Sequence, residues 1–176
     1  DILKSLDNSE LITVEASEGV ELIREGKEND PHVWLDPENA KIEMENIKDA
    51  FIEADKDNAE YYNGVNDPHD EVYDGVAVQH ITFEETLSQV TNKDIIVAHK
   101  AFGYLCKAYG LNQIAIEGLM PDSEPDPARM EEIIQLAKKK KINTIFFEEL
   151  VSPKVAETIA AETGAQTRGL NPLEGL

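Results

Sequence analysis

The 176-residue sequence has one cysteine, one tryptophan, and 16 basic residues against 36 acidic ones. A lone cysteine excludes an internal disulfide and any cysteine-cluster metal site. Its setting, Phe102-Gly103-Tyr104-Leu105-Cys106, reads as a small buried hydrophobe rather than a nucleophile. The formal net charge of −20 repels phosphate backbones and anionic membrane surfaces, and the one basic run is Lys138–Lys141, so no nucleic-acid partner is expected. No stretch approaches the roughly 18 apolar residues of a membrane-spanning helix. A glycine-rich phosphate loop, a nucleophile elbow and a His-Glu-x-x-His pair are all missing, which weakens the enzyme readings.

What is present is an α/β pattern, clearest in the second half. Asp94–Ala98, Ile114–Ile116, Thr144–Phe147 and Gln166–Arg168 read as short buried strands. Helical stretches separate them. One covers residues 100–109 and ends at Gly110. A second opens on Asp126-Pro127 and carries Met130, Ile133, Ile134 and Ala137 as a stripe. A third opens on Ser152-Pro153 and runs to Gly164. Strands alternating with helices of this length imply right-handed crossovers and a parallel sheet.

The first half is more acidic, with 24 acidic and 6 basic residues in 1–90 against 12 and 10 in 91–176. Leu11–Val14 reads as a strand. Asp36-Pro37 starts a helix with Ala40, Met44, Ile47, Phe51 and Ala54 on one face. Gly64, Pro68 and Gly75 predict a loop or broken helix across Asn63–Gln79.

Four histidines are candidates for chemistry. His99 ends the strand Asp94–Ala98, at the strand rim where ligands bind in open parallel sheets. Glu148, Glu149 and Glu117 end other strands at the same edge, and histidine with carboxylates suits a divalent cation. His32 lies between two Asp-Pro turns in Asp30-Pro31-His32-Val33-Trp34-Leu35-Asp36-Pro37, a rigid placement that serves a preorganised ligand and a packed turn equally. His69, in Asp67-Pro68-His69-Asp70, reads first as part of a solvated acidic loop, and His80 as structural.

Two of these stretches carry a family resemblance. Asp30–Pro37 resembles the second metal-ligand motif of the zinc and manganese substrate-binding proteins of ABC importers, the cluster that includes streptococcal surface adhesins. Val97-Ala98-His99-Lys100-Ala101-Phe102-Gly103-Tyr104-Leu105 is similar to the third motif. Ser5–Ser9, Glu15–Leu22 and Asn171–Leu176 fit the same alignment. The resemblance implies a two-lobed α/β protein with parallel sheets flanked by helices, the lobes joined by a long helix and the metal between them. Its zinc branch has histidine where His99 stands; manganese is the alternative cargo.

Carried onto this chain, the resemblance implies His32 and His99 as metal ligands. The family's first ligand histidine precedes the point where this sequence starts, and a fourth, carboxylate ligand generally follows the Asn171–Leu176 segment. The first lobe is therefore expected to be incomplete, with residues 1–57 its remainder, 58–90 an interlobe linker and 91–176 the second lobe. His69, Glu148 and Glu149 are the candidates for missing ligands. The implied protein is not an enzyme. It is an extracytoplasmic zinc-binding component, lipid-anchored in some relatives, that passes its ion to a membrane permease. A metal-assisted hydrolase with Glu148 or Glu149 as general base, and a surface adhesin without metal, are the competing readings.

Overall fold

The computed structural model describes residues 8, 10–65, 71–119, 126–148 and 152–174. The chain divides into two compact units, Asp1–Glu21 with Pro37–His80, and Leu22–Asp36 with Ile81–Leu176.

In the first unit the apolar stripe at spacings of three and four forms helix α1, Pro37–Ala54, with proline at its opening turn. A 3-10 turn at Lys56–Asn58 leads into α2, Ala59–Val65, and the Phe51 ring stacks on Tyr62 with centroids 5.6 Å apart. The Asn46 side-chain amide donates to the carbonyls of Ala16 and Glu18 at 2.7 and 2.9 Å, tying that turn to α1. Leu11–Val14 is not a strand; its apolar residues are exposed. A strand exists only with a ladder partner, and none of the described residues pairs with this run.

The helical state also extends further than the glycines suggest. Asn63 and Gly64 lie in α2, and Gly75 lies in α3, Glu71–Ser88. An interior glycine costs only about 1 kcal/mol relative to alanine, which an eighteen-residue helix can absorb. Pro68, the stronger breaker, and His69 lie outside the described residues.

The second unit opens on a hairpin, β1 Arg24–Glu25 and β2 Glu28–Asn29, followed by a 3-10 turn at Val33–Leu35. An alternating series then follows: β3 Asp94–Val97, α4 Gly103–Tyr109, β4 Asn112–Ala115, α5 Pro127–Lys140, β5 Thr144–Phe147, α6 Lys154–Thr163 and β6 Gln166–Gly169. These four long strands form one parallel sheet in the order β4-β3-β5-β6, the α/β architecture that the sequence implies. Helix ends fall where their chemistry directs. The Asp126 side chain accepts from the Ala128 amide at 3.1 Å, and Gly110 and Gly164 close α4 and α6 with left-handed φ of 64° and 75°. Helix α6 begins at Lys154, just after Pro153.

Side-chain alternation along the strands splits the core in two. Ile96 and Ile145 point to one face, where Ile133, Ile134 and Ala137 of α5 and Ala156, Ile159 and Ala160 of α6 cover them. Val97 and Ala115 point to the other, packed with Leu35, Ala101, Phe102 and Cys106. The Lys138–Lys140 run forms the last turn of α5, where the helix dipole favours cations, and Lys140 pairs with Asp94 at 2.8 Å.

Two outcomes follow from this core. Ile145→Ala removes a fully buried side chain at the sheet centre, and urea unfolding should show a loss of about 2–5 kcal/mol. Burial pushes the Cys106 thiol up to about 12, so the native protein should resist alkylation by iodoacetamide at pH 8 and react readily once unfolded. Fast native labelling would place Cys106 outside the core.

Candidate metal centre

The strand order decides where a ligand can sit. The crossover from β3 leads to β4 on one side of it, whereas that from β5 leads to β6 on the other. Connections leaving neighbouring strands in opposite directions open a crevice at the strand ends. His99 and Glu148 flank that crevice. Ile96 pairs with Ile145 across β3 and β5, and each functional residue stands three positions beyond its isoleucine. Register alone therefore brings them side by side. His99 is fully buried, Glu148 nearly so, and the His99 Nδ1 hydrogen-bonds the Glu148 carboxylate.

His32 arrives from the hairpin side. Asp30 Oδ1 accepts from the His32 backbone amide at 3.0 Å and pairs with its ring Nδ1 at 2.6 Å, fixing both the turn and the ring. The 3-10 turn that follows drives Leu35 into the core beside Val97. His32 is 3% exposed, and its ring meets that of His99 at 5.3 Å between centroids and 61° between planes.

With each Nδ1 held by a carboxylate, both Nε2 atoms face inward, 3.4 Å apart. Glu174 Oε1 completes the group, 2.7 Å from His32 Nε2 and 3.3 Å from His99 Nε2. Its segment is led there by two bonds. The Leu170 amide donates to Phe147 O at 2.8 Å, and the Trp34 indole N–H donates to Pro172 O at 2.8 Å. One ligand atom from each of His32, His99 and Glu174 lies within 4.8 Å of the others, the geometry of a site able to hold a metal ion.

The electrostatics of the group are unusual. An imidazole that donates through Nδ1 and carries no proton on Nε2 presents a lone pair there, and Glu174 adds a carboxylate oxygen. Three acceptors then converge without a donor, a costly arrangement in a buried place unless a cation joins them. A proton is the smallest such cation. Burial of the His99 ring opposes its charged form. The hydrogen bond and charge of Glu148, followed by those of Glu174, outweigh that, and its pKa lies above the ordinary histidine value.

The structure thus brings together His32 and His99, the two histidines singled out by sequence. Glu148 lies behind His99 on the Nδ1 side, away from the centre. His80 sits in α3 outside the group, and Cys106 is in the core. Glu117 lines a separate polar cavity of about 440 Å³ with Lys100 and Arg129. Glu149 and His69 lie outside the described residues. Sequence reasoning missed Asp30 and Glu174. Asp30 was open to discovery, being two residues before His32 across a proline, but it reads as a plain Asp-Pro turn. Glu174 lies within the Asn171–Leu176 segment, and nothing local shows that Trp34 holds this segment at the strand ends.

Comparison with known proteins agrees with this geometry. The family model for zinc-uptake complex component A, periplasmic (ZnuA), matches residues 1–176. The chain is 37% identical over 188 residues to the high-affinity zinc uptake system protein ZnuA of Bacillus subtilis (strain 168), covering 98% of this chain and 58% of that protein. It is 35% identical over 190 residues to the zinc-binding lipoprotein AdcA of Streptococcus pneumoniae, covering 99% of this chain and 37% of that protein. Among solved structures, AdcAII of Streptococcus pneumoniae superposes with a TM-score of 0.83 at 39% identity, over 93% of this chain and 61% of that one. The laminin-binding protein Lmb of Streptococcus agalactiae, described as bifunctional with adhesin and metal-transporting activity, gives 0.84 at 34% identity, over 92% and 61%. The chain therefore spans less than two thirds of these relatives' lengths, from 37% to 61%. Matched along its whole length, it belongs to the ZnuA family of zinc-uptake components.

Proposed function

We propose that this chain acts as the substrate-binding component of an ABC-type zinc importer, capturing Zn2+ outside the cytoplasm and passing it to a membrane permease. The observation that carries the reading is the convergence of His32 Nε2, His99 Nε2 and Glu174 Oε1 on one point. A divalent cation there turns three mutually repelling acceptors into three ligands. Two imidazole nitrogens and one carboxylate oxygen form a donor set that zinc accepts well and that favours it over manganese in the general affinity order.

Asp30 and Glu148 support the ligands from behind. By accepting from Nδ1 each fixes its ring's tautomer and raises the basicity of Nε2, the carboxylate–histidine–zinc arrangement. Cargo release needs a ligand that can leave. Glu174 is the accessible member of the group, its side chain 30% exposed against 3% for His32. In this reading the two histidines are the fixed jaw and Glu174 the movable one. The hydrolase reading names Glu148 or Glu149 as the base; the Glu148 carboxylate is engaged with His99 Nδ1 instead, and Glu149 lies outside the described residues. The relatives matched here are named for uptake and binding, which favours capture over catalysis.

Calorimetric titration of zinc into the metal-free chain tests the ligand assignment. Loss of an outer partner of a metal-bound histidine typically weakens affinity by 10–100-fold, so His32→Ala and His99→Ala should each weaken it by ~100-fold or more. Glu174→Gln should retain binding more weakly than the parent. Affinities equal to the parent's in both histidine variants would overturn the assignment.

Proton competition gives a second test. Zinc needs neutral Nε2, and the pKa of His99 lies above its usual 6.5 in the metal-free protein. Protons should therefore compete from above pH 6.5, and zinc affinity should fall steadily as pH drops through that range. Affinity that is flat between pH 8 and pH 5.5 would contradict imidazole ligation.

A further inference from the structure

We infer that Gly103 and Tyr104, the first two residues of α4, are positioning residues for the metal centre: together they hold Asp30, and through it the tautomer and orientation of His32. The inference rests on the zinc-binding reading for its purpose and on the following geometry for its content.

The hairpin β1–β2 should close with Ile23 and Asp30 exchanging a pair of backbone bonds, as opposed residues in an antiparallel ladder do. One bond is direct, from the Asp30 amide to the Ile23 carbonyl at 2.8 Å. The other is interrupted. The Ile23 amide donates to the Tyr104 hydroxyl at 2.9 Å, and that hydroxyl donates to the Asp30 carbonyl at 3.0 Å. The phenol is thus inserted into the last rung of the hairpin, with its ring buried. This holds the Asp30 backbone wider than a direct rung would and sets where its side chain starts.

Gly103 sets where that side chain ends. A Cβ at this position would lie 2.7 Å from Asp30 Oδ2, and within 3.6 Å of both Gln113 Nε2 and Ile23 Cδ1. A methyl group cannot share that space with a carboxylate oxygen, so glycine is what admits Asp30. The other oxygen, Oδ1, is then free to accept from the His32 amide and to pair with Nδ1. The element that begins four residues after His99 therefore also fixes the second histidine, so both rings are referenced to one short stretch, His99–Tyr104. Neither residue touches the metal position.

The variants Tyr104→Phe and Gly103→Ala, compared with the parent chain, test this. Two quantities are read: zinc affinity by competition with a chromophoric chelator, and the ring-nitrogen shifts of His32 and His99 in long-range 1H–15N spectra of the metal-free protein. We expect each variant to lose about 10–100-fold in zinc affinity, the usual scale for partners behind a ligand. The Nδ1 shift of His32 should change while that of His99, held independently by Glu148, stays. Affinities within twofold of the parent with an unchanged His32 shift overturn the inference. Equal shifts in both histidines also overturn it, because they indicate general loosening of the unit. If Gly103→Ala does not fold, Tyr104→Phe, which removes one oxygen atom, decides alone. If the parent chain binds no zinc, the functional reading fails, and the His32 shift in the metal-free variants still decides the positioning role.

Discussion

Two buried imidazoles with their Nε2 atoms 3.4 Å apart are the constraint to which the rest of this unit answers. Left alone, the rings would turn away from each other or toward water, because like-oriented lone pairs repel and buried acceptors need donors. They are kept in place from behind. Glu148 holds one ring by Nδ1 and Asp30 the other, and both carboxylates are themselves buried. The energy that keeps an unfavourable group of acceptors together therefore comes from the surrounding fold. A cation at the centre recovers it, which is the physical basis of a preorganised site.

The sheet supplies the rigidity. His99 and Glu148 project from neighbouring parallel strands with matched register, from the crevice between diverging connections. Both faces of that sheet are packed, Ile96 and Ile145 under α5 and α6 on one side, Val97 and Ala115 under Phe102 and Leu35 on the other. Densely packed strands move little, so the strand ends act as fixed mounting points. The contributions from Asp30–His32 and from Glu174 come in on irregular backbone, and each needs its own anchor. Tyr104 serves the first and Trp34 the second.

Charge plays a smaller part than composition implies. The protein carries 36 acidic residues, yet among the described residues three carboxylates, Asp30, Glu148 and Glu174, pair with His32 and His99. Exposed acids beyond a Debye length, about 8 Å at physiological salt, are largely screened and can only bias cation approach. In the proposed zinc-binding reading, selectivity comes from the donor atoms themselves, two nitrogens and an oxygen at close range.

Much of this protein can be read along the chain. The 3.6-residue stripe of α1, the Asp126-Pro127 opening of α5, the glycine ends of α4 and α6, and the strand at Thr144–Phe147 are all local patterns, set by propensity, capping and side-chain period. The motifs around His32 and His99 are equally local, and so both histidines stand out as candidates along the chain. Other features depended on partners far away in sequence. Leu11–Val14 looks like a strand but has no ladder partner among the described residues, and Gly75 looks like a break but lies inside a helix. Asp30 and Glu174 look like ordinary surface acids until Tyr104 and Trp34 direct their segments inward. The sequence by itself determined the elements and the donor atoms on offer, because those depend on neighbours within a few residues. Only the tertiary structure decided which donors meet, because strand register and hydrogen bonds spanning up to 138 residues fix distances that no local pattern encodes.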